Sequence, residues 1–286
     1  MSNTIATTAG TPIRNTAGKV LAALCVASCL GAGMAEAATA DSLADAVAGP
    51  QRSAAWQKRD VYRHPAETLQ FFGIKPSQTV VEIEPGGGWY TEILAPYLRA
   101  HGKLYEAPIA GKSGIEGLKQ SNGYKQFVDK LAQAPAVYDK VAVGALSAGA
   151  LDNIPAGSAD MVVTFRNIHN WIKGEQVDAN LRAFYAALKP GGVLGVEEHR
   201  AKAGTSLEKM IDTGYVTQDY VIEHAGAAGF TFVGSSEVNA NARDTADHPN
   251  GVWSLPPTLQ GGDKDKDQYL AIGESDRMTL KFVKPK

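Results

Sequence analysis

Apolar and polar positions along this chain follow two rhythms. Residues 79–84 (TVVEIE), 103–107, 140–143, 160–165, 193–197, 230–235 and 278–283 are short runs rich in β-branched residues, and each predicts a strand. Between them, apolar residues recur at helical spacing. Tyr90, Ile93, Leu94, Tyr97 and Leu98 follow the first run, and further helices are predicted within 114–133, over about 175–188, and from Thr217, a suitable N-cap, to Ala228. A shorter helix is predicted at 65–72, with Pro65 in its first turn and Gly73 at its exit. Pro96 falls inside a helical stretch and predicts a bend. Parallel neighbours need crossover helices, so this alternation predicts one α/β domain: a mostly parallel seven-stranded sheet with helices on both faces.

Two stretches break the rhythm. Residues 237–275 are polar and rich in Gly, Pro, Asn and Asp, long for a connection, with Trp253, Leu255, Pro256 and Pro257 to pack with. A lid over a site and a decorative surface loop are both open readings. Residues 20–34 (VLAALCVASCLGAGM) form an apolar run preceded by Arg14 and Lys19, with no acid before them. Too short to span a bilayer comfortably, the run is followed by Ala35-Glu36-Ala37 and Ala38-Thr39-Ala40, each of A-x-A pattern. Residues 1–40 therefore read as a signal peptide, 41–63 as a lead-in and 64–286 as the domain. The protein is expected to be exported, and periplasmic if bacterial. Val26-Ala27-Ser28 before Cys29 resembles a lipobox, which offers a membrane-anchored lipoprotein as the alternative.

Charge and cysteine usage then exclude several chemistries. The whole chain carries a formal net charge of −2, with 44% apolar residues. The first 40 residues hold two bases and one acid, so residues 41–286 carry −3, which leaves no electrostatic footprint for nucleic acid. Cys25 and Cys29 are the only cysteines, so no disulfide, thiolate nucleophile or Cys-bound zinc is expected after signal removal. No second apolar run of membrane length follows, so no stable membrane insertion is expected. No pattern sets an oligomeric state.

The candidate chemistry gathers at Glu82-Ile83-Glu84-Pro85-Gly86-Gly87-Gly88-Trp89-Tyr90. Glycines directly after a strand and opening a helix let a ligand approach the backbone, beyond the carboxyl ends of the strands. A dinucleotide-binding G-x-G-x-x-G is met at Gly86 and Gly88 but fails at Thr91. A P-loop around Gly111-Lys112-Ser113 fails because Glu106 stands where its first glycine belongs.

The turn resembles the first motif of the class I S-adenosylmethionine-dependent methyltransferases, from Val80 through Gly88. Two further segments agree in order: residues 158–171, like that family's fourth strand and exit loop, and 188–194 (LKPGGVL), like its fifth-strand entry. The resemblance runs from about residue 60 to the C-terminus. It implies a Rossmann-like fold whose last strand is antiparallel, S-adenosyl-L-methionine as cofactor, and a methyl acceptor that is a small molecule. The absence of an Asn-Pro-Pro-Tyr-like run after the fourth strand disfavours base methylation in nucleic acid. Cofactor-binding residues implied are Glu82, Glu84, Gly86, Gly87, Gly88, Tyr90, Glu106 and Asn167. Glu84 stands where the family has a glycine, and Pro108 where it has a ribose-binding acid, with Glu106 two residues earlier on the same side of the strand.

Methyl transfer from an activated donor asks for positioning, exclusion of water, and a base where the acceptor bears a proton. Candidate catalytic residues are His169, Asn167 and His199, with a hydrogen-bonded structural role as the alternative for each histidine. Trp89, Tyr90 and Trp171 are candidates for aromatic walls, Trp171 also for core packing. Glu197, Glu198 and His199 alternate faces, so at most two converge, and no metal ligand is assigned. The 59–64 segment (RDVYRH) reads as solvated surface or as a cover for the pocket, and Lys264 to Asp267 as solvated surface. A non-catalytic exported binding protein of the same fold is the rival function. It is motivated by the cytoplasmic origin of the cofactor and by Glu84 and Pro108.

Overall fold

The computed structural model describes residues 40–110 and 113–286. The signal-peptide reading therefore lies, but for Ala40, outside the described residues, as do Gly111 and Lys112. Nine strands occur among the described residues: β1 (Thr79–Ile83), β2 (Lys103–Ala107), β3 (Ala142–Val143), β4 (Ala145–Ser147), β5 (Ala150–Asp152), β6 (Ala159–Phe165), β7 (Leu188–His199), β8 (Thr231–Ser236) and β9 (Arg277–Val283). Seven make one sheet in the order β3-β2-β1-β6-β7-β9-β8, and β4 and β5 form a separate hairpin. β1, β2, β3, β6 and β7 run parallel, while β9 is antiparallel to both β7 and β8.

The two-residue period of the strands feeds two cores. Val81, Ile83, Val162, Leu194 and Val196 face one, whereas Val80, Met161 and Val163 face the other. The first core is covered by α9 (Ile168–Lys173), α10 (Val177–Ala187), α11 (Leu207–Thr213) and α12 (Gln218–Ala227). Covering the second are α1 (Leu43–Ala48), α4 (Pro65–Phe72), α5 (Thr91–Leu98), α7 (Asn122–Gln133) and α8 (Pro135–Tyr138), with α2 (Ala54–Gln57), α3 (Asp60–Arg63) and α6 (Gly114–Leu118) as short connecting turns. Strands covered on both faces need apolar residues at successive positions, which is why β1 reads as TVVEI.

Several boundaries differ from expectation for local reasons. The single helix expected within 114–133 is two, α6 and α7, because Ser121 caps a new start by accepting from the Tyr124 amide. α9 and α11 were not foreseen, and β7 begins at Leu188, five residues early, by pairing with Ala159 across a bulge. The 237–275 segment carries a 3-10 turn (Gly251–Ser254) and α13 (Lys266–Ile272). Pro96 lies within α5 and leaves the Glu92 carbonyl without its helical donor; Gln51 Nε2 supplies one at 3.0 Å.

Candidate functional site

The glycine turn leaves β1 at Ile83 and enters α5 at Thr91. Glu84, where the resembled motif has glycine, adopts the glycine conformation, with φ 50°. An L-residue there costs about 1–2 kcal/mol. The side chain is held in return: Trp171 Nε1, in α9, donates to Glu84 Oε1 at 2.5 Å. Burial raises the Glu84 carboxyl above its ordinary range, and the Trp171 bond counters part of that. Gly88, at φ 87°, is in a conformation that L side chains rarely adopt and is crowded as well, since a Cβ would stand 3.2 Å from Phe127 and 3.3 Å from Thr91. Gly86, at φ 58°, faces open space.

That space is a cavity of about 330 Å³ beyond the carboxyl ends of β1, β2 and β6. Glu84, Gly86 and Asn167 line its polar side, and Ile109, Leu118, Tyr124 and Phe127 contribute an apolar wall. Asn167 Nδ2 straps the two central strand ends together, donating to the Ile83 carbonyl at 3.0 Å and to Thr164 Oγ1 at 3.1 Å. Its Oδ1 has no hydrogen-bond partner among the described residues. A larger depression of about 610 Å³ is lined only by residues between Arg243 and Ile272, away from the strand ends, so size alone does not locate the site.

Glu82 and Glu106 lie beneath the turn rather than in the cavity. They are opposite one another in the β1–β2 register and both are buried. Glu82 Oε2 accepts from Thr91 Oγ1 at 2.9 Å, tying the strand to the start of α5. Both Glu106 oxygens are buried without a hydrogen-bond donor among the described residues, with Glu82 and Thr91 as their polar neighbours. Burial pushes Glu82 up to about 7, and burial together with the Glu82 charge pushes Glu106 well above the carboxylate range. The pair is held together by a retained proton.

On the other side of the β6 exit, Arg166 adopts φ 60°, with its amide bonded to the Glu197 carbonyl at 2.7 Å and Nη1 to Glu197 Oε1 at 2.8 Å. Arg277 Nη1 reaches the same oxygen at 2.8 Å, and Glu274 is gripped by Arg59, Arg63 and Arg277 at 2.6, 3.0 and 3.0 Å. Burial acts to raise the carboxyls of Glu197 and Glu274, but the guanidiniums outweigh it, holding Glu197 low and Glu274 at about 2. Arg59, Arg63, Arg166, His199, Trp253 and Thr258 are among the residues around a second cavity of about 250 Å³. Adjacent residues of one turn thus serve different cavities, Arg166 this one and Asn167 the first.

His169, in α9, has its Nδ1 3.0 Å from Glu198 Oε1. Glu198 is wholly buried and also accepts from the amides of Ile168, His169 and His199, at 2.6, 3.3 and 2.8 Å. A carboxylate surrounded by donors accepts only, so the proton of His169 sits on Nδ1 and Nε2 is left to take another. His199 lies 5.3 Å away, ring to ring, with Nδ1 2.5 Å from Ser275 Oγ. Burial, then His169 and Arg166, keep it neutral by driving its pKa well below the usual histidine value. Donor atoms of His169, Glu198 and His199 come within 4.8 Å of one another, the one such metal-sized group among the described residues. Both Glu198 oxygens are already spent on N–H groups, so the arrangement orients an imidazole rather than offering a vacant ligand.

Of the residues singled out by sequence, the structure brings Glu84, Gly86 and Asn167 to the first cavity and His199 to the second, with His169 adjacent to it. Gly87 and Gly88 shape the turn, and Glu82 and Glu106 pair below it. Tyr90 lines neither cavity: it stacks on Phe165 at 3.6 Å and donates to Glu197 at 3.3 Å. Trp89 is no wall either, being buried with the Arg52 and Arg63 guanidiniums 4.7 and 4.8 Å from its ring. Trp171 is a core residue, 1% exposed, that reaches the site through its indole N–H. The 59–64 segment is not solvated surface, since Arg63 is 5% exposed and inside the carboxylate network. The i,i+4 spacing of Arg59 and Arg63 was the available signal for that role. Nothing local marked Glu274 or Arg277 as their partners.

No protein-family model and no curated protein matches the sequence. Solved structures do resemble it. An S-adenosylmethionine-dependent methyltransferase from Aquifex aeolicus is similar at 15% identity and TM-score 0.53, over 79% of this chain and 93% of that one. The [4+2]-cyclase SpnF is similar at 17% and 0.56, over 85% and 91%. The YcgJ protein of Bacillus subtilis is similar at 13% and 0.50, over 78% and 99%. With the observed strand order, these likenesses define the architecture: the chain has the Rossmann-like fold of the class I S-adenosylmethionine-dependent methyltransferases. One neighbour being a cyclase means that the fold leaves the reaction to the site.

Proposed function

We propose that the protein is an S-adenosylmethionine-dependent methyltransferase acting on a small-molecule acceptor. The observation that carries this reading is the first cavity, whose lining supports it. Gly86 leaves open space against the backbone, Ile109, Leu118, Tyr124 and Phe127 offer an apolar slot for a flat base, and Glu84 offers a carboxylate for an ammonium group. When bound, the cofactor supplies a methyl group already activated by a cationic sulfur. Glu198 holds His169 so that Nε2 is the atom that takes the acceptor's proton, and Trp171 holds Glu84 at the cavity rim. A negative net charge without a basic stripe supports a small acceptor over nucleic acid.

Calorimetric titration with S-adenosylmethionine and S-adenosylhomocysteine tests the reading. Saturable binding that Gly88→Val abolishes supports it; no heat at millimolar ligand in the folded protein overturns it. Residues 1–40 support export as a further part of the proposal, and the mass of the mature N-terminus in the native host tests that part.

A further inference from the structure

The second cavity carries an imbalance of charge that its own residues do not resolve. Four guanidiniums, Arg59, Arg63, Arg166 and Arg277, meet two carboxylates, Glu197 and Glu274. Arg277 is largely satisfied, with four of its five N–H groups engaged: its Nε donates to the Ser275 carbonyl, Nη1 to Glu197, and Nη2 to Glu274 and the Tyr62 carbonyl. The other three line the cavity, and each gives a single side-chain N–H to a carboxylate. Arg59 Nη2 is buried without any partner among the described residues. Arg63 is almost fully buried, and its terminal nitrogens make no hydrogen bond among the described residues. Burial first, then repulsion from Arg166, brings Arg63 down to about 9 against the opposing pull of Glu274.

We propose that this cavity is the acceptor subsite and that it takes a small organic acid, with the carboxylate on Arg59, Arg63 and Arg166 and an apolar body against Val252, Trp253, Pro256 and Pro257. Planar guanidinium forks match a carboxylate in two-point geometry, and an anion supplies the counter-charge that the network lacks. A volume of about 250 Å³ is of the size that admits a small molecule. Arg166 and Asn167, adjacent in one turn, place this cavity beside the first, and the neutral His199 ring is part of its wall. Trp253 to Thr258 come from the excursion after β8, which gives that excursion a covering role over the site.

The acceptor role rests on the methyltransferase reading; the anion site does not. The test is calorimetric titration of the full chain with benzoate and with its neutral isostere benzamide, each with and without S-adenosylmethionine. Benzoate binding with no benzamide binding is expected. Arg59→Gln is expected to weaken benzoate about tenfold while leaving S-adenosylmethionine binding unchanged, since Glu274 keeps Arg63 and Arg277. The proposal is overturned by equal binding of the two probes, by no benzoate binding, or by a folded Arg59→Gln protein that binds benzoate as the parent does. The comparison of probes needs no variant, so it stands even where a substitution harms folding. Benzoate selectivity without any cofactor heat sinks the methyltransferase reading and leaves the anion site; cofactor heat without benzoate selectivity does the reverse.

Discussion

Glu106→Gln isolates the proton that Glu82 and Glu106 share under the glycine turn. Both carboxyls sit at 2% exposure or less, with Glu82 raised from 4.5 to about 7 and Glu106 raised well above the carboxylate range. An unfolded chain releases both protons near pH 4.5, whereas the folded protein retains the Glu82 proton to about pH 7 and holds that of Glu106 well above the carboxylate range. The unfolded state then binds fewer protons, so the pair's contribution is fully present below pH 4.5 and is lost as pH rises through 7. Each retained proton steepens the loss by about 1.4 kcal/mol per pH unit. Between pH 5 and 7 one proton is therefore worth about 3 kcal/mol. Glutamine keeps the volume, donates to Glu82 and carries no titrating proton, so Glu82 ionises at lower pH beside it. Urea unfolding followed by circular dichroism at pH 5, 6, 7 and 8 reads the difference. The variant is expected to lose less stability with rising pH than the parent, by about 1.4 kcal/mol per unit, and to be the more stable protein at pH 8. Parallel stability profiles would refute the shared proton. Because Thr91 ties Glu82 to the start of α5, cofactor affinity is expected to weaken above pH 7 in the parent and to hold in the variant.

Other consequences are equally direct. Trp171→Phe removes the N–H that holds Glu84 in its left-handed conformation, with an expected cost of about 1–3 kcal/mol and weaker S-adenosylmethionine binding, read by thermal denaturation and calorimetry. Gly88→Val sets a β-branched residue at φ 87° against Phe127, so melting temperature and cofactor affinity are both expected to fall. Glu274 is depressed to about 2, so its stabilisation is present above pH 4.5 and lost as pH falls through 2; Glu274→Gln is expected to flatten that acid-side loss in denaturant titrations. Nitrogen NMR of labelled histidine is expected to show His169 protonated on Nδ1, and Glu198→Gln to shift its tautomer balance; an unchanged spectrum counts against the orienting role.

The alternation of strand and helix, the two-sided sheet and the glycine turn were legible in the sequence, because each depends on local periodicity and backbone freedom. Pro65–Phe72 and Lys103–Ala107 were readable to the residue for that reason. α9 was harder, since a six-residue helix with four buried positions shows no clean amphipathic stripe. The site itself was legible only in part. Glu84, Gly86 and Asn167 follow strand ends, where topology places ligands whatever the packing. Glu82 and Glu106 looked like cofactor ligands, and only strand register could show them facing each other. The arginine network joins Arg59 to Glu274 and Tyr62 to Arg277 across 215 residues of chain, and no local pattern specifies such a meeting. Sequence determined which elements form and where the backbone opens to a ligand. Tertiary structure decided which charges are buried together, because register, side-chain direction and desolvation arise only when distant segments pack.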